Sequence, residues 1–323
     1  MQEQESGSLK EVIATLRFVR TIKRVCMTNI ERIRRALTEQ DFDAILIINP
    51  ANRLFATGFD SSDGALLVTM DGAWFYTDSR YIEAAAAAIS DAEVLLVSGD
   101  ATYSAQVSAI LSDRGITSIG FEDTSVSYAG YLEWKEKLSA ALPPQTSGRG
   151  VPCGVELVPS KNMLADLRAV KSLDDLEKMK TSQKIAEKSF LEILPLIDTD
   201  ITEKELSDEL LYRFLKNGAD DCSFDSIVVS GPKSSMPHGV PGNVKIGKGF
   251  LTIDFGVRLA GWCSDTTRTL CVGDPDVEMK KVYNTVLDAQ IAGINAARAG
   301  IAACDVDSAA RAVIENAGYG AYF

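Results

Sequence analysis

The sequence predicts an α/β domain followed by a second domain in which helices flank a strand and a β-hairpin. Three observations lead there. From Met27 to about residue 160, short apolar runs alternate with helical patterns. The stretch Leu142-Pro-Pro-Gln-Thr-Ser-Gly-Arg-Gly-Val-Pro152, rich in turn and breaker residues, then interrupts that alternation. Beyond it, Ser172 with Asp175 and Thr202 with Glu205 have the spacing of capping boxes and open longer helices. A length of 323 residues fits two domains, placed at 27–160 and 161–323. Residues 1–26 lack the apolar core and cleavage site of a secretory signal. They are expected to be a disordered or artefactual extension preceding a start at Met27.

The elements follow in order. Ile30, Ile33 and Leu37 recur at helical spacing, and Ala44-Ile-Leu-Ile-Ile48 reads as a buried strand ending at Asn49-Pro50. Gly64–Met70 and Trp74–Thr77 read as strands joined through Asp71-Gly72, a hairpin signal. A helix over 81–89, a strand over 94–97, a helix over 103–113, a strand over 118–121 and a helix over 128–138 complete the first domain. In the second, a long helix carries Leu176, Met179, Ile185, Phe190 and Leu194, and a further helix ends at Gly218. A strand over 226–230, a loop holding His238, the hairpin and two helices near 277–298 and 304–317 follow.

Composition narrows the function. Hydrophobic content of 46 % and charged content of 24 % are ordinary for a globular chain. The formal net charge of −12 opposes nucleic acid and anionic membrane surfaces, and no apolar stretch reaches the length of a membrane span. Cys26, Cys153, Cys222, Cys263, Cys271 and Cys304 show no C-x-x-C spacing, and His238 is the single histidine. These exclude a Cys/His zinc site and point to a reducing, cytoplasmic compartment.

The run Phe250–Thr269 carries the chemistry. It reads as two strands joined near Leu259-Ala260, with Asp254 across from Asp265 or a neighbour. Like charges opposed across strands repel, and a cation between them relieves the repulsion. The bland alternative is an amphipathic strand whose aspartates face water. Asp254 lies in an apolar run, where an unpaired charge is expensive. His238 sits between Pro237 and Pro241, which restrict the backbone on either side. A lone loop histidine usually has no special role, but this one lies between a buried strand and the carboxylate hairpin.

At these residues the chain resembles a family. Leu167-Arg-Ala-Val-Lys-Ser172, Phe224-Asp-Ser-Ile-Val-Val-Ser-Gly231, Pro237-His-Gly-Val-Pro241, Thr252-Ile-Asp-Phe-Gly256 and Cys263-Ser-Asp-Thr-Thr-Arg-Thr269 resemble the pita-bread metallopeptidases. Those include Xaa-Pro aminopeptidase, Xaa-Pro dipeptidase (prolidase), methionine aminopeptidase and creatinase. Asn49-Pro-Ala-Asn52, Ala56-Thr-Gly-Phe59 and Thr77-Asp-Ser-Arg-Tyr81 are similar to the N-terminal domain of the Xaa-Pro peptidases and creatinase. Methionine aminopeptidase shares only the second domain, and creatinase works without the metal that Asp254 and Asp265 suggest.

The resemblance implies an α/β N-terminal domain plus an α+β pita-bread catalytic domain, incomplete at the C-terminus. It implies a metal-dependent exopeptidase cleaving the Xaa-Pro bond of peptides with proline at the second position, or of dipeptides. Asp254 and Asp265 would ligate two divalent ions, manganese ahead of cobalt or zinc, His238 would meet the substrate, and the protein would be a homodimer. The family's further histidine and two glutamates find no counterpart here. The expectation is therefore an impaired fragment, the alternative being a non-catalytic peptide- or partner-binding protein on the same fold.

Overall fold

The computed structural model describes residues 27–141, 145–146, 152–153 and 155–323. The extension expected at 1–26 lies outside the described residues, as does most of the breaker-rich stretch. At that stretch, β6 (Gln145–Thr146) and β7 (Pro152–Cys153) form a two-stranded ribbon.

The first unit ends at Lys171. It opens with α1 (Asn29–Leu37), whose start is fixed by reciprocal capping. The Thr28 amide donates to Glu31 Oε2 at 2.6 Å, and the Glu31 amide donates to Thr28 Oγ1 at 3.2 Å. β1 (Ala44–Ile47) is buried along its whole length. Directly after it comes a helix that the sequence reading missed, α2 (Pro50–Thr57). Asn49-Pro50 was expected to end a strand. It also starts a helix: the Asn49 side chain accepts from the amides of Ala51 and Asn52, and Pro50 supplies the fixed φ of a first helical position. Gly58, at φ +72°, closes α2 in the left-handed region.

β2 (Ala65–Thr69) and β3 (Ala73–Thr77) form the expected hairpin through Asp71-Gly72. Next come α3 (Ile82–Ala88), β4 (Glu93–Leu96), α4 (Tyr103–Asp113), β5 (Ser118–Phe121), α5 (Tyr128–Ala141), β8 (Glu156–Pro159) and α6 (Met163–Ala169). The six strands run in the order β4-β3-β2-β1-β5-β8, with β3/β4, β1/β5 and β5/β8 parallel. Strand alternation divides the core between two faces. Ile45, Ile47, Leu66, Val68 and Phe75 meet Ile30, Ile33 and Ala85 on one face. Leu46, Leu67, Trp74 and Tyr76 meet Val107, Leu111 and Leu138 on the other. Met163 and Leu164 of α6 join the first of these cores, which moves the division of the chain past the expected 160/161 to 171/172.

Among the described residues of this unit two charged side chains are buried, and backbone groups answer both. Arg53 donates to the carbonyls of Ile48, Ser61 and Gly64, and Glu122 accepts from the amides of Ile48 and Asn49 and from Asn52 Nδ2.

The second unit begins at Ser172. Both expected capping boxes form, at Ser172/Asp175 for α7 (Leu173–Ile193) and Thr202/Glu205 for α8 (Glu203–Lys216). These helices cover one face of an antiparallel sheet made of β10 (Ile227–Ser230), β11 (Gly249–Phe255) and β14 (Thr266–Val272), in the order β10-β11-β14. Phe255 stacks between Phe190 and Phe214, with centroids 5.2 and 6.2 Å away. A second ribbon joins β13 (Trp262–Cys263), β12 (Val257–Leu259) and β9 (Asp221–Cys222).

β11, β12, β13 and β14 are one long hairpin split across two ribbons. The pairs Leu259↔Trp262, Arg258↔Cys263, Phe255↔Thr266 and Asp254↔Thr267 share one register. Its turn is Ala260-Gly261, with φ +50° and +81°, both left-handed as a two-residue hairpin of the primed type requires. The hairpin crosses between ribbons at Gly256. A Cβ there would lie 1.9 Å from the Ser264 carbonyl and 2.3 Å from Ser223 Oγ. Serine hydroxyls stitch the crossing: the Val257 amide donates to Ser264 Oγ at 3.0 Å, and Ser223 Oγ donates to the Ser264 carbonyl at 2.8 Å.

The chain closes with α9 (Val277–Ala296) and α10 (Ala303–Asn316), which pack on each other. Among the described residues they bury Ala289 and Ile314 and leave Val277, Ile291 and Ile294 exposed. No helix of the described residues is long and apolar enough to cross a membrane.

Two substitutions test the hairpin. Gly256→Ala is expected to lower urea-unfolding stability by about 1–3 kcal/mol through overpacking at the crossing. Ala260→Asn is expected to raise it by about 0.5–1 kcal/mol, because asparagine tolerates left-handed backbone that strains alanine.

Candidate functional site

Register decides which residues share a face with Asp254. The sequence reading put the turn at Leu259-Ala260 and Asp254 opposite Asp265 or a neighbour; the turn at Ala260-Gly261 puts Asp254 opposite Thr267 instead. Moving a two-residue turn by one position moves every cross-strand partner by two. The glycine needed for the second left-handed position is Gly261, and this fixes the later placement. Because the shift is even, Asp265 stays on the Asp254 side of the ribbon, diagonally across rather than directly opposite. Diagonal neighbours on an antiparallel ribbon stand roughly 7–8 Å apart, a separation that two bridging cations can span.

Asp254 is half-buried, and Asp265 is exposed just before β14. Thr267 Oγ1 donates to Asp254 Oδ1 at 2.7 Å. Thr252 and Thr269, directly paired one step along the same face, bring their hydroxyls to 3.4 Å. The face is therefore a row of oxygen donors: Thr252, Asp254, Thr267, Thr269 and, at its end, Asp265. Hard oxygen ligands of this kind suit manganese, magnesium or calcium better than thiophilic metals. The donor set fits a divalent cation in chemistry, and two carboxylates alone do not complete a coordination sphere. Among the described residues no group of three or more histidine, cysteine, aspartate or glutamate side chains joins them.

His238 is exposed, in the turn after a short 3-10 segment at Gly231–Ser235. Its neighbour Gly239 places it. A Cβ on Gly239 would lie 2.8 Å from Val229 Cγ1, so this backbone lies directly against Val229. Val229 pairs with Thr252, and Ile227 pairs with Asp254, so Val229, though fully buried, lies on the carboxylate face and not in the helix-covered cluster. The His238 loop thus lies over the same side of the sheet as Asp254.

Two contributors escaped the sequence reading. Thr267 lay inside the Cys263–Thr269 motif but had no assigned role. Glu203 looked like an ordinary first-turn acid beside Thr202. In the structure it is 1 % exposed. It accepts from Lys233 Nζ at 2.6 Å, the Ser230 amide at 2.8 Å, Ser230 Oγ at 3.1 Å and the Gly242 amide at 3.1 Å. Those partners are 27 to 39 residues away in sequence, so no local pattern announces them.

Burial pushes the Glu203 carboxyl upward. The hydrogen bonds from Lys233, Ser230 and Gly242 and the Lys233 charge outweigh it and hold the group below the usual glutamate range. A depressed folded-state value stabilises the fold above the unfolded glutamate value, and that contribution is lost as pH falls through the folded one. Unfolding free energy is accordingly expected to drop more steeply for the wild type than for Glu203→Gln between about pH 5 and 3, as read by urea titrations at each pH.

Comparison with known proteins identifies both units. Residues 29–170 match the creatinase/prolidase N-terminal domain, and residues 177–323 match metallopeptidase family M24. The Bacillus subtilis uncharacterized peptidase YqhT is 34 % identical over 91 % of this chain and 79 % of its own length. The Xaa-Pro dipeptidase of Pyrococcus furiosus is 29 % identical over 91 % of this chain and 79 % of its own. Among solved structures, the Xaa-Pro dipeptidase from Bacillus anthracis superposes with a TM-score of 0.82 at 34 % identity, covering 91 % of this chain and 78 % of that one. The two units carry the two expected folds, a creatinase-type N-terminal domain and a pita-bread peptidase domain, and the chain belongs to metallopeptidase family M24.

Proposed function

We propose that this peptidase hydrolyses the bond preceding proline, in Xaa-Pro dipeptides or at the N-terminus of peptides with proline second. Asp254 and Asp265 would supply part of a site for two divalent ions, manganese ahead of cobalt or zinc; among the described residues no further histidine, cysteine or acidic side chain joins them, so turnover by this chain is expected to be impaired. The observation that carries this reading is the shared face: both aspartates lie on one side of a hairpin of fixed register, and the His238 loop lies over that side. The Xaa-Pro dipeptidases among the relatives support the substrate class and favour an enzyme over a non-catalytic binding protein. A cytoplasmic homodimer completes the proposal.

Bound divalent ions supply Lewis-acid polarisation of the scissile carbonyl. The chain's own residues do the rest. The Thr267 hydroxyl occupies Asp254 Oδ1 and orients the carboxylate, leaving Oδ2 without a hydrogen bond among the described residues. Asp265, at the end of the same row, supplies the second charge. His238, on the loop across the face, donates a hydrogen bond to the carbonyl oxygen as negative charge develops there.

Equilibrium dialysis against manganese tests the metal roles. Asp254→Asn and Asp265→Asn are each expected to weaken binding by about tenfold or more, since each removes one of two charges. Equal manganese uptake by the wild type and the double variant overturns the site. His238→Ala is expected to leave manganese uptake unchanged and to lower kcat on an Xaa-Pro dipeptide by about 10²–10³, the usual loss for one donor to a developing oxyanion. Unchanged kcat removes His238 from the reaction.

A further inference from the structure

The loop that carries His238 is fastened at both ends to one buried carboxylate. Ser230, the last residue of β10, and Gly242, where the loop returns, both donate backbone amides to Glu203, at 2.8 and 3.1 Å. Lys233, inside the loop, adds its ammonium at 2.6 Å, and its own side chain is 31 % exposed against 2 % for Glu203. The returning chain is tied to the same helix end, because the Lys204 amide donates to the Gly242 carbonyl at 3.1 Å and the Glu203 amide to the Val244 carbonyl at 3.0 Å. A buried charge is tolerated only when it is answered this fully. Between the fastened ends, Met236 to Gly239 form a tight turn, with the Gly239 amide donating to the Met236 carbonyl at 3.1 Å, and Gly239 rests on Val229.

We propose that Glu203 is a positioning residue for the peptidase reaction. Its carboxylate closes the 230–242 loop and so sets His238 over the face that carries Asp254 and Asp265. Glu203 touches neither substrate nor metal; it acts through His238. This rests on the functional reading above in assigning His238 to the substrate. The clamp itself rests on hydrogen bonds alone.

Capping does not account for Glu203. The end of α8 already has its capping pair in Thr202 and Glu205. Glu203 occupies the first helical position but directs its oxygens to the loop. Lys233 is the matching half, the cation that the loop supplies to a carboxylate otherwise sealed from water.

Because His238 is the only histidine of the sequence, its imidazole Cε1–H gives one resonance that needs no assignment. In the full chain, Glu203→Gln and Lys233→Met are expected to broaden or split that resonance. Hydrogen exchange of the 231–242 amides should speed up by about tenfold or more, while the core amides of β11 keep their protection. Lys233→Arg, which keeps the charge, is expected to restore the wild-type line. A single unchanged His238 line with unchanged loop exchange in both Glu203→Gln and Lys233→Met overturns the clamp. Should Glu203→Gln unfold the chain, Lys233→Met and Lys233→Arg decide the matter alone.

A second arm measures cleavage of an Xaa-Pro dipeptide with manganese. Glu203→Gln is expected to lower kcat by about tenfold with little change in KM, and to cost nothing further in a His238→Ala background, the non-additivity of residues acting as one unit. Full additivity overturns the positioning role. A wild-type chain that neither takes up manganese nor cleaves an Xaa-Pro peptide overturns the functional reading instead, and the resonance and exchange arm then judges the clamp.

Discussion

The left-handed pair at Ala260-Gly261 is the constraint on which the second unit depends. Strand side chains alternate between faces, so a hairpin's turn fixes for every residue beyond it whether it meets core or solvent. From this turn follow the pairing of Leu251, Ile253 and Phe255 with the helix-covered side and the placement of Thr252 and Asp254 on the other. A one-residue offset between the strands would have sent Asp254 into the stack of Phe190, Phe214 and Phe255, where nothing answers a carboxylate.

Buried charge follows one rule in both units. Arg53 and Glu122 in the first, and Glu203 in the second, are each surrounded by backbone amides or carbonyls rather than by a lone opposite charge. Each joins a helix end to a loop or strand terminus where the chain changes direction. Such joints are specific because their loss leaves several polar groups stranded at once, whereas surface pairs such as Lys204 with Asp208 contribute little.

Much of this was legible in the sequence, for physical reasons that can be named. Elements with strong local signals were readable: the capping pairs of α7 and α8, the Asp71-Gly72 turn, and the buried run at Ala44–Ile47. α2 was not, because Asn49-Pro50 serves equally as a strand end and as a helix start, and only tertiary context chooses. The identities of Asp254, Asp265 and His238 stood out, yet their cross-strand relation depended on a turn position wrong by one residue. Glu203 was invisible because everything that makes it unusual comes from distant parts of the chain, while its immediate neighbours offer an ordinary explanation.

The crossing at Gly256 has a mechanical consequence. A strand that passes from one ribbon to another through so tight a contact has little room to shift there, because the Ser264 carbonyl and the Ser223 hydroxyl close on it. Asp254 lies two residues before that contact, and Asp265 lies between β13 and β14, next to Ser264. The two carboxylates thus flank the tightest contact of the hairpin, and under the proposed role a cation would meet side chains whose backbone is already held on both strands.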